Sequence, residues 1–204
     1  MRVFSEQKEL IQYARKIILM KVASLENDVQ RCISQNTTGP YQPAPFPSLL
    51  FCFSVIDLLG AFLAGNAKPG KTAEQAKEYM QTCMVYTEEQ AELLQKVFRH
   101  KLVHLAEPKP IMTDKKSRLI TWQEWHNDRV KHLTIERLKE KEKIYVTSVF
   151  SKEFDHIFHV GIWNLVEDIR VSVEKPNGYL DSLEKSTDLQ DKFENTLVQL
   201  YEDK

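Results

Sequence analysis

Apolar residues recur at three- and four-residue steps through residues 5–33, at Leu10, Ala14, Ile17, Ile18, Val22, Leu25 and Val29. That is the period of a long amphipathic helix. Residues 35–47 then gather Asn36, Gly39, Pro40, Pro43, Pro45 and Pro47, which predicts an extended loop, with Pro47 suited to open the next helix. Residues 48–64 are apolar almost all round and predict a buried central helix, ended by the glycines of 65–70. Two more helices are expected over 72–84 and 88–106. The second opens on Thr87 with Gln90 three residues later, the pattern of a capping box, and stops before Pro108.

The pattern changes beyond Pro110. Residues 118–122, 133–138 and 143–149 are short and rich in β-branched or aromatic side chains, predicting a small antiparallel sheet. Residues 151–173 return to helical spacing through Phe154, Ile157, Phe158, Ile162, Leu165, Val166 and Ile169, and Pro176-Asn177-Gly178 makes a turn before a last, acidic helix. The expected fold class is therefore mainly α. It comprises a helical core over 1–110, a small β-rich segment over 111–150, and C-terminal helices over 151–204 packing back on the core as one compact domain.

The composition, 204 residues of which 42% are hydrophobic and 28% charged, excludes a disordered or fibrous chain. A formal net charge of -1 provides no global positive field, so any RNA site has to be a local patch. One stretch qualifies: from Lys96 to Arg118 seven basic residues meet two acidic ones, a net +5, whereas from Glu174 to Lys204 eight acids meet four lysines, a net -4. Charge runs are also the ordinary mark of a solvated surface. Cys32, Cys52 and Cys83 form no CxxC pair and read as reduced thiols. The first nine residues carry Arg2, Glu6, Lys8 and Glu9 instead of a signal peptide, which makes the cytoplasm the expected location. The apolar run 49–64 falls short of the about 20 residues that span a bilayer and contains Asp57, so a buried helix is expected and no membrane partner.

The candidate chemistry lies in Phe98-Arg99-His100-Lys101-Leu102-Val103-His104. A guanidinium is a permanent, planar partner for a phosphate, and an imidazole exchanges a proton near neutral pH. Together Arg99 and His104 suit phosphodiester chemistry without a metal. The structural alternative is a helix whose Leu94, Phe98, Leu102 and Leu105 face the core while Arg99, Lys101 and His104 are merely solvated. Competing motifs are weaker. Gly65-Asn66-Ala67-Lys68-Pro69-Gly70-Lys71-Thr72 satisfies the GxxxxGK[ST] string of a P-loop NTPase, but the expected elements lack the strand before it and the acidic strand after it. His100 and His104 have an i, i+4 spacing that zinc can use, yet Lys101 stands where a catalytic glutamate is needed. His156 and His159, with Asp155 beside them, make a second candidate pair, but the spacing implies no further ligand. No metal or other cofactor is expected, and no serine or cysteine sits in a nucleophile signature.

The 98–104 segment resembles the R-x4-6-H motif of the HEPN superfamily, helical bundles that are often RNases. His100 fits the polar residue that commonly follows the arginine, and Leu102 and Val103 match the apolar positions before the histidine. Upstream, Ser54-Val55-Ile56-Asp57-Leu58-Leu59-Gly60 resembles the family helix that places an acid near the motif. The resemblance covers about residues 2–110. It implies a metal-independent endoribonuclease, with RNA cut at a cleft between the two protomers of a homodimer. In that scheme Arg99 binds the scissile phosphate, His104 acts as general acid or base while the 2′-hydroxyl attacks, and His100 or Asp57 orients the pair. Five residues of ideal helix separate Arg99 and His104 by about 140°, so a helix end or a second protomer has to bring them together. An antitoxin or nucleotidyltransferase is the candidate partner. The alternative within the same resemblance is a domain that binds a nucleotide, a nucleic acid or a partner protein without cutting.

Overall fold

The computed structural model describes residues 3–33, 45–68, 70–99, 109–125, 127–147 and 150–201. The first helix, α1 (Gln7–Ile33), buries Leu10, Ala14, Ile18, Val22, Leu25, Val29 and Ile33, the single stripe its periodicity foretells. Helix α2 (Pro45–Ala64) begins three residues earlier than expected. Pro45 and Pro47 both fall in its first turn, where a missing N–H breaks no intrahelical bond. Fully buried Leu49, Cys52, Phe53, Ile56 and Leu59 put α2 at the centre, against α1 and α3 (Thr72–Thr82). It is long and apolar enough to cross a membrane by length and composition, but half of that stretch is buried within the fold. Gly60 permits its close approach to α3, since a Cβ there would lie 2.7 Å from the Gln75 carbonyl carbon.

Helix α4 (Glu88–Leu93) starts with the expected capping box. The Gln90 N–H donates to Thr87 Oγ1 at 3.2 Å, and the Thr87 N–H donates to Gln90 Oε1 at 2.9 Å. The helix then widens into a π-helical stretch, Leu94–Arg99, that buries Leu94, Val97 and Phe98. Residues 100–106 of the expected helix over 88–106 lie outside the described residues.

Four strands follow: β1 (Met112–Thr113), β2 (Leu119–Trp125), β3 (Ile135–Thr147) and β4 (Phe150–Gly161). Their order is β1-β2-β4-β3, and β2 runs parallel to β4. The sheet is thus mixed, where the sequence led us to expect an antiparallel one. The cause is the crossover 127–134, which carries the chain over the end of β4: Leu133 donates to the His159 carbonyl at 2.8 Å, and His159 donates to that of Thr134 at 3.0 Å. The strands expected at 133–138 and 143–149 are one long strand, β3. The charged residues between them form an irregularity where its register on β4 shifts, between Arg137 and Glu142.

A second correction concerns 151–173, expected as one helix. The chain is strand to Gly161 and becomes helix only as α5 (Ile162–Glu174). Phe154 and Phe158 are four apart, which fits a helical stripe and equally the same side of a strand, and pairing with β2 and β3 selects the strand. The acidic tail is two helices, α6 (Tyr179–Lys185) and α7 (Thr187–Tyr201). The chain is mostly helical, and helices and sheet share one core. Phe98 joins the two layers, its ring 5.5 Å from that of Trp122 on β2 and 6.5 Å from that of Phe158 on β4.

Candidate functional site

Asp57 lies on α2 and Arg99 ends the π-helical stretch. Across 42 positions of sequence the two side chains meet edge to edge. Arg99 Nε donates to Asp57 Oδ1 at 2.9 Å and Oδ2 at 3.1 Å, and Nη2 donates to Oδ2 at 2.9 Å. This is the bidentate fork that a guanidinium forms with a carboxylate. The side chains keep only 11% and 20% exposure. Burial pushes the Asp57 carboxyl above its ordinary range, and the hydrogen bonds and charge of Arg99 pull it back only in part. The fork uses the Nε–H and one Nη2–H; among the described residues the other three N–H groups, including both on Nη1, have no acceptor.

The π-helical stretch ends at Arg99. His100 and His104 themselves lie outside the described residues.

Lys109 and Pro110 are held firmly. The Lys109 N–H donates to the Val97 carbonyl at 2.8 Å. Trp122 Nε1 donates to the Lys109 carbonyl at 3.1 Å, and Thr121 Oγ1 to the Pro110 carbonyl at 2.8 Å. These β2 residues have no motif in the sequence, and only the pairing of distant segments reveals them.

The basic patch expected from Lys96 to Arg118 is largely neutralised. Lys96 and Lys115 pair with Glu92, Lys115 also with Glu88, Lys116 and Arg118 with Glu89, and Arg118 with Asp114. All but the last of these acids lie on α4. The glycine-rich 65–72 string follows helix α2 and not a strand, so the strand–loop–helix unit of a P-loop is missing, and Lys71 Nζ bonds to Glu74 at 3.3 Å.

The other buried polar groups serve the frame. Asp168 on α5 accepts from Tyr86 Oη and Arg129 Nη1, each at 2.6 Å, and from His132 Nε2 at 3.1 Å. His132 Nδ1 accepts the Gly161 N–H at 2.9 Å, so Nε2 carries the ring proton. Burial raises the Asp168 carboxyl, but hydrogen bonds from His132, Tyr86 and Arg129 outweigh it and hold the group below the ordinary carboxylate range. His159 lies between Trp125 Nε1, which donates to its Nδ1 at 3.0 Å, and Glu136, 3.0 Å from its Nε2, while His156 pairs with Asp155. Among the described residues no group of three or more histidine, cysteine or carboxylate side chains is placed to hold a metal ion. Comparison with known proteins gives no matching family model, curated sequence or solved structure.

Proposed function

We propose that the chain is a metal-independent endoribonuclease of the HEPN type, working as a homodimer with one copy of the motif from each protomer. Its support is the Asp57–Arg99 fork, in which a half-buried carboxylate fixes one edge of the guanidinium and leaves the other for a phosphate oxygen. In this reading the ribose 2′-hydroxyl loses its proton to a histidine acting as base and attacks the adjacent phosphorus. The bond from phosphorus to the 5′-oxygen breaks, the leaving oxygen takes a proton from a histidine acting as acid, and a 2′,3′-cyclic phosphate remains. Arg99 stabilises the charge on the phosphoryl oxygens, His104 performs the proton transfers, Asp57 positions Arg99, and His100 orients the imidazole.

A second reading, binding without cleavage, is favoured by the pairing of the basic patch with α4 carboxylates. That pairing leaves little free positive charge to hold a long RNA. The two readings separate when wild type and His104→Ala are incubated with mixed RNA in excess chelator and the ends are analysed. Cyclic phosphate from wild type alone supports the nuclease. Intact RNA with both proteins refutes it, and equal cleavage by both removes His104 from the mechanism.

A further inference from the structure

Two clefts among the described residues have charged rims that are already satisfied internally. In the cleft of about 590 Å³ between α1 and the α5–α6 turn, Arg15 pairs with Glu184, Lys175 donates to the Cys83 carbonyl, and Asp181 pairs with Lys185. In the cleft of about 320 Å³ beside α4, Lys115 and Lys116 are held by the glutamates of that helix. The cleft of about 400 Å³ between β2 and the β3–β4 ribbon differs. Its floor is apolar and partly aromatic, formed by Trp122, Ile144, Phe154 and Ile157. On its rim, Gln123 and Glu124 are engaged by no side-chain hydrogen bond or ion pair among the described residues. Lys143 has only a long contact, 3.9 Å, to Glu153.

The floor and rim suit different parts of one nucleotide. A planar base buries its faces against aromatic and aliphatic side chains, and such stacking tolerates any base. Gln123 offers donors and an acceptor, and Glu124 two acceptors, for the polar edge of a base. Lys143 offers a mobile cation for a phosphate outside the cleft.

The place of this cleft favours RNA over other occupants. Trp122, in its floor, also donates to the Lys109 carbonyl and packs on Phe98, the residue beside Arg99. Trp122 and Phe98 thus link the cleft to the residue that carries the proposed phosphate contact. We infer that this cleft is a base-binding subsite for single-stranded RNA flanking the scissile phosphate; the inference rests on the nuclease reading above.

The test is fluorescence anisotropy with a labelled single-stranded RNA of about ten nucleotides, within the range of typical single-strand site sizes. The RNA is 2′-O-methylated so that it cannot be cut, and excess chelator is present. Wild type is compared with Ile144→Ser and with Lys143→Glu, an exposed position whose replacement leaves the core intact. Each variant is expected to weaken binding about tenfold, the loss of one stacked base or one phosphate contact, and Lys143→Glu to do so without a change in melting temperature. On unmodified RNA the same variants are expected to raise KM and leave kcat in place. Unchanged binding by both variants overturns the subsite even if wild type cleaves RNA. Weakened binding with no cleavage by any protein upholds base binding at the cleft and overturns the nuclease reading. A wild type that does not bind the probe overturns the subsite, and the nuclease reading is then decided by cleavage of unmodified RNA.

Discussion

Replacing Arg99 by methionine removes three hydrogen bonds to Asp57 and leaves a carboxylate in a site built for an ion pair. Deleting one partner of a fully buried pair costs about 3–5 kcal/mol, because the remaining charge stays desolvated. Here the side chains keep 11% and 20% exposure, and partial hydration brings the expected loss to about 2–3 kcal/mol. The double variant Asp57→Leu, Arg99→Met removes pair and penalty together and is expected to lose no more than about 1 kcal/mol. Asp57→Leu leaves the guanidinium unpaired and is expected to cost about as much as Arg99→Met, so urea denaturation of the four proteins closes the cycle with an expected coupling of at least about 3 kcal/mol. The pH dependence is a second check on the cause. Asp57 has a raised folded pKa, so its contribution to stability is full below its unfolded pKa and is lost as pH rises through the folded value. Without Arg99 only the raising cause remains, and the folded pKa moves further up. The Arg99→Met deficit is therefore largest near neutral pH and shrinks as Asp57 is protonated in acid. Single-variant losses that add within about 0.5 kcal/mol, or a deficit that does not change with pH, would refute the account of a desolvated, mutually dependent pair.

Three other substitutions test the frame. Val85 is β-branched, 70% exposed and held at φ 61° where the turn after α3 closes through the Tyr86 N–H and the Met80 carbonyl. Val85→Gly is expected to stabilise by about 1 kcal/mol, a rise of about 2–4 °C in Tm by calorimetry, and a lower Tm contradicts the strain. Gly60→Ala would bring a methyl within 2.7 Å of the Gln75 backbone. Parting α2 from α3 is expected to cost about 1–3 kcal/mol in urea, and a neutral result would mean that the helices are not in contact there. Asp168→Asn weakens three charge-assisted bonds, with an expected loss of about 2 kcal/mol near neutral pH. Because the folded pKa of Asp168 is depressed, its contribution is present above the unfolded pKa and lost as pH falls through the folded value. The gap between variant and wild type must therefore close in acid.

The parts of this fold legible in the sequence are those whose cause is local. The stripe of α1, the all-round apolarity of α2 and the Thr87–Gln90 capping box each act within one or two turns, and each is found where its pattern lies. Strand β4 was hidden because Phe154 and Phe158 satisfy both periods, and its identity is decided by β2, up to 36 residues away, and by β3. The same distance explains the patch. Lys115, Lys116 and Arg118 read as a positive run, but their counter-charges Glu88, Glu89 and Glu92 are contributed by α4, which linear counting along 96–118 never meets. Arg99 stood out by its residue type and its spacing to His104. Asp57 was suggested by the order of two segments, and their edge-to-edge fork could only come from the packing of α2 against the π-helical stretch.

That fork and the β2 contacts give residues beyond 110 a role in the site. The segment 100–108, which carries both motif histidines, begins next to Arg99, anchored by Asp57, and ends at Lys109, anchored to Val97, Trp122 and, through Pro110, Thr121. Each neutral bond at the far end contributes about 0.5–1.5 kcal/mol. Holding a chain segment at both ends also removes conformational freedom that a one-ended segment would retain. Strand β2 is kept in place by pairing with β4 along 120–125, and β4 runs directly into α5, whose buried Leu165, Val166 and Ile169 join the common core. The sheet is thus part of the mechanical path that fixes one end of the motif segment, and α2 fixes the other. Proton transfer requires an imidazole held within hydrogen-bond reach of the reacting oxygen, so the catalysis proposed for Arg99 and His104 depends on both anchors, one from each layer of the fold.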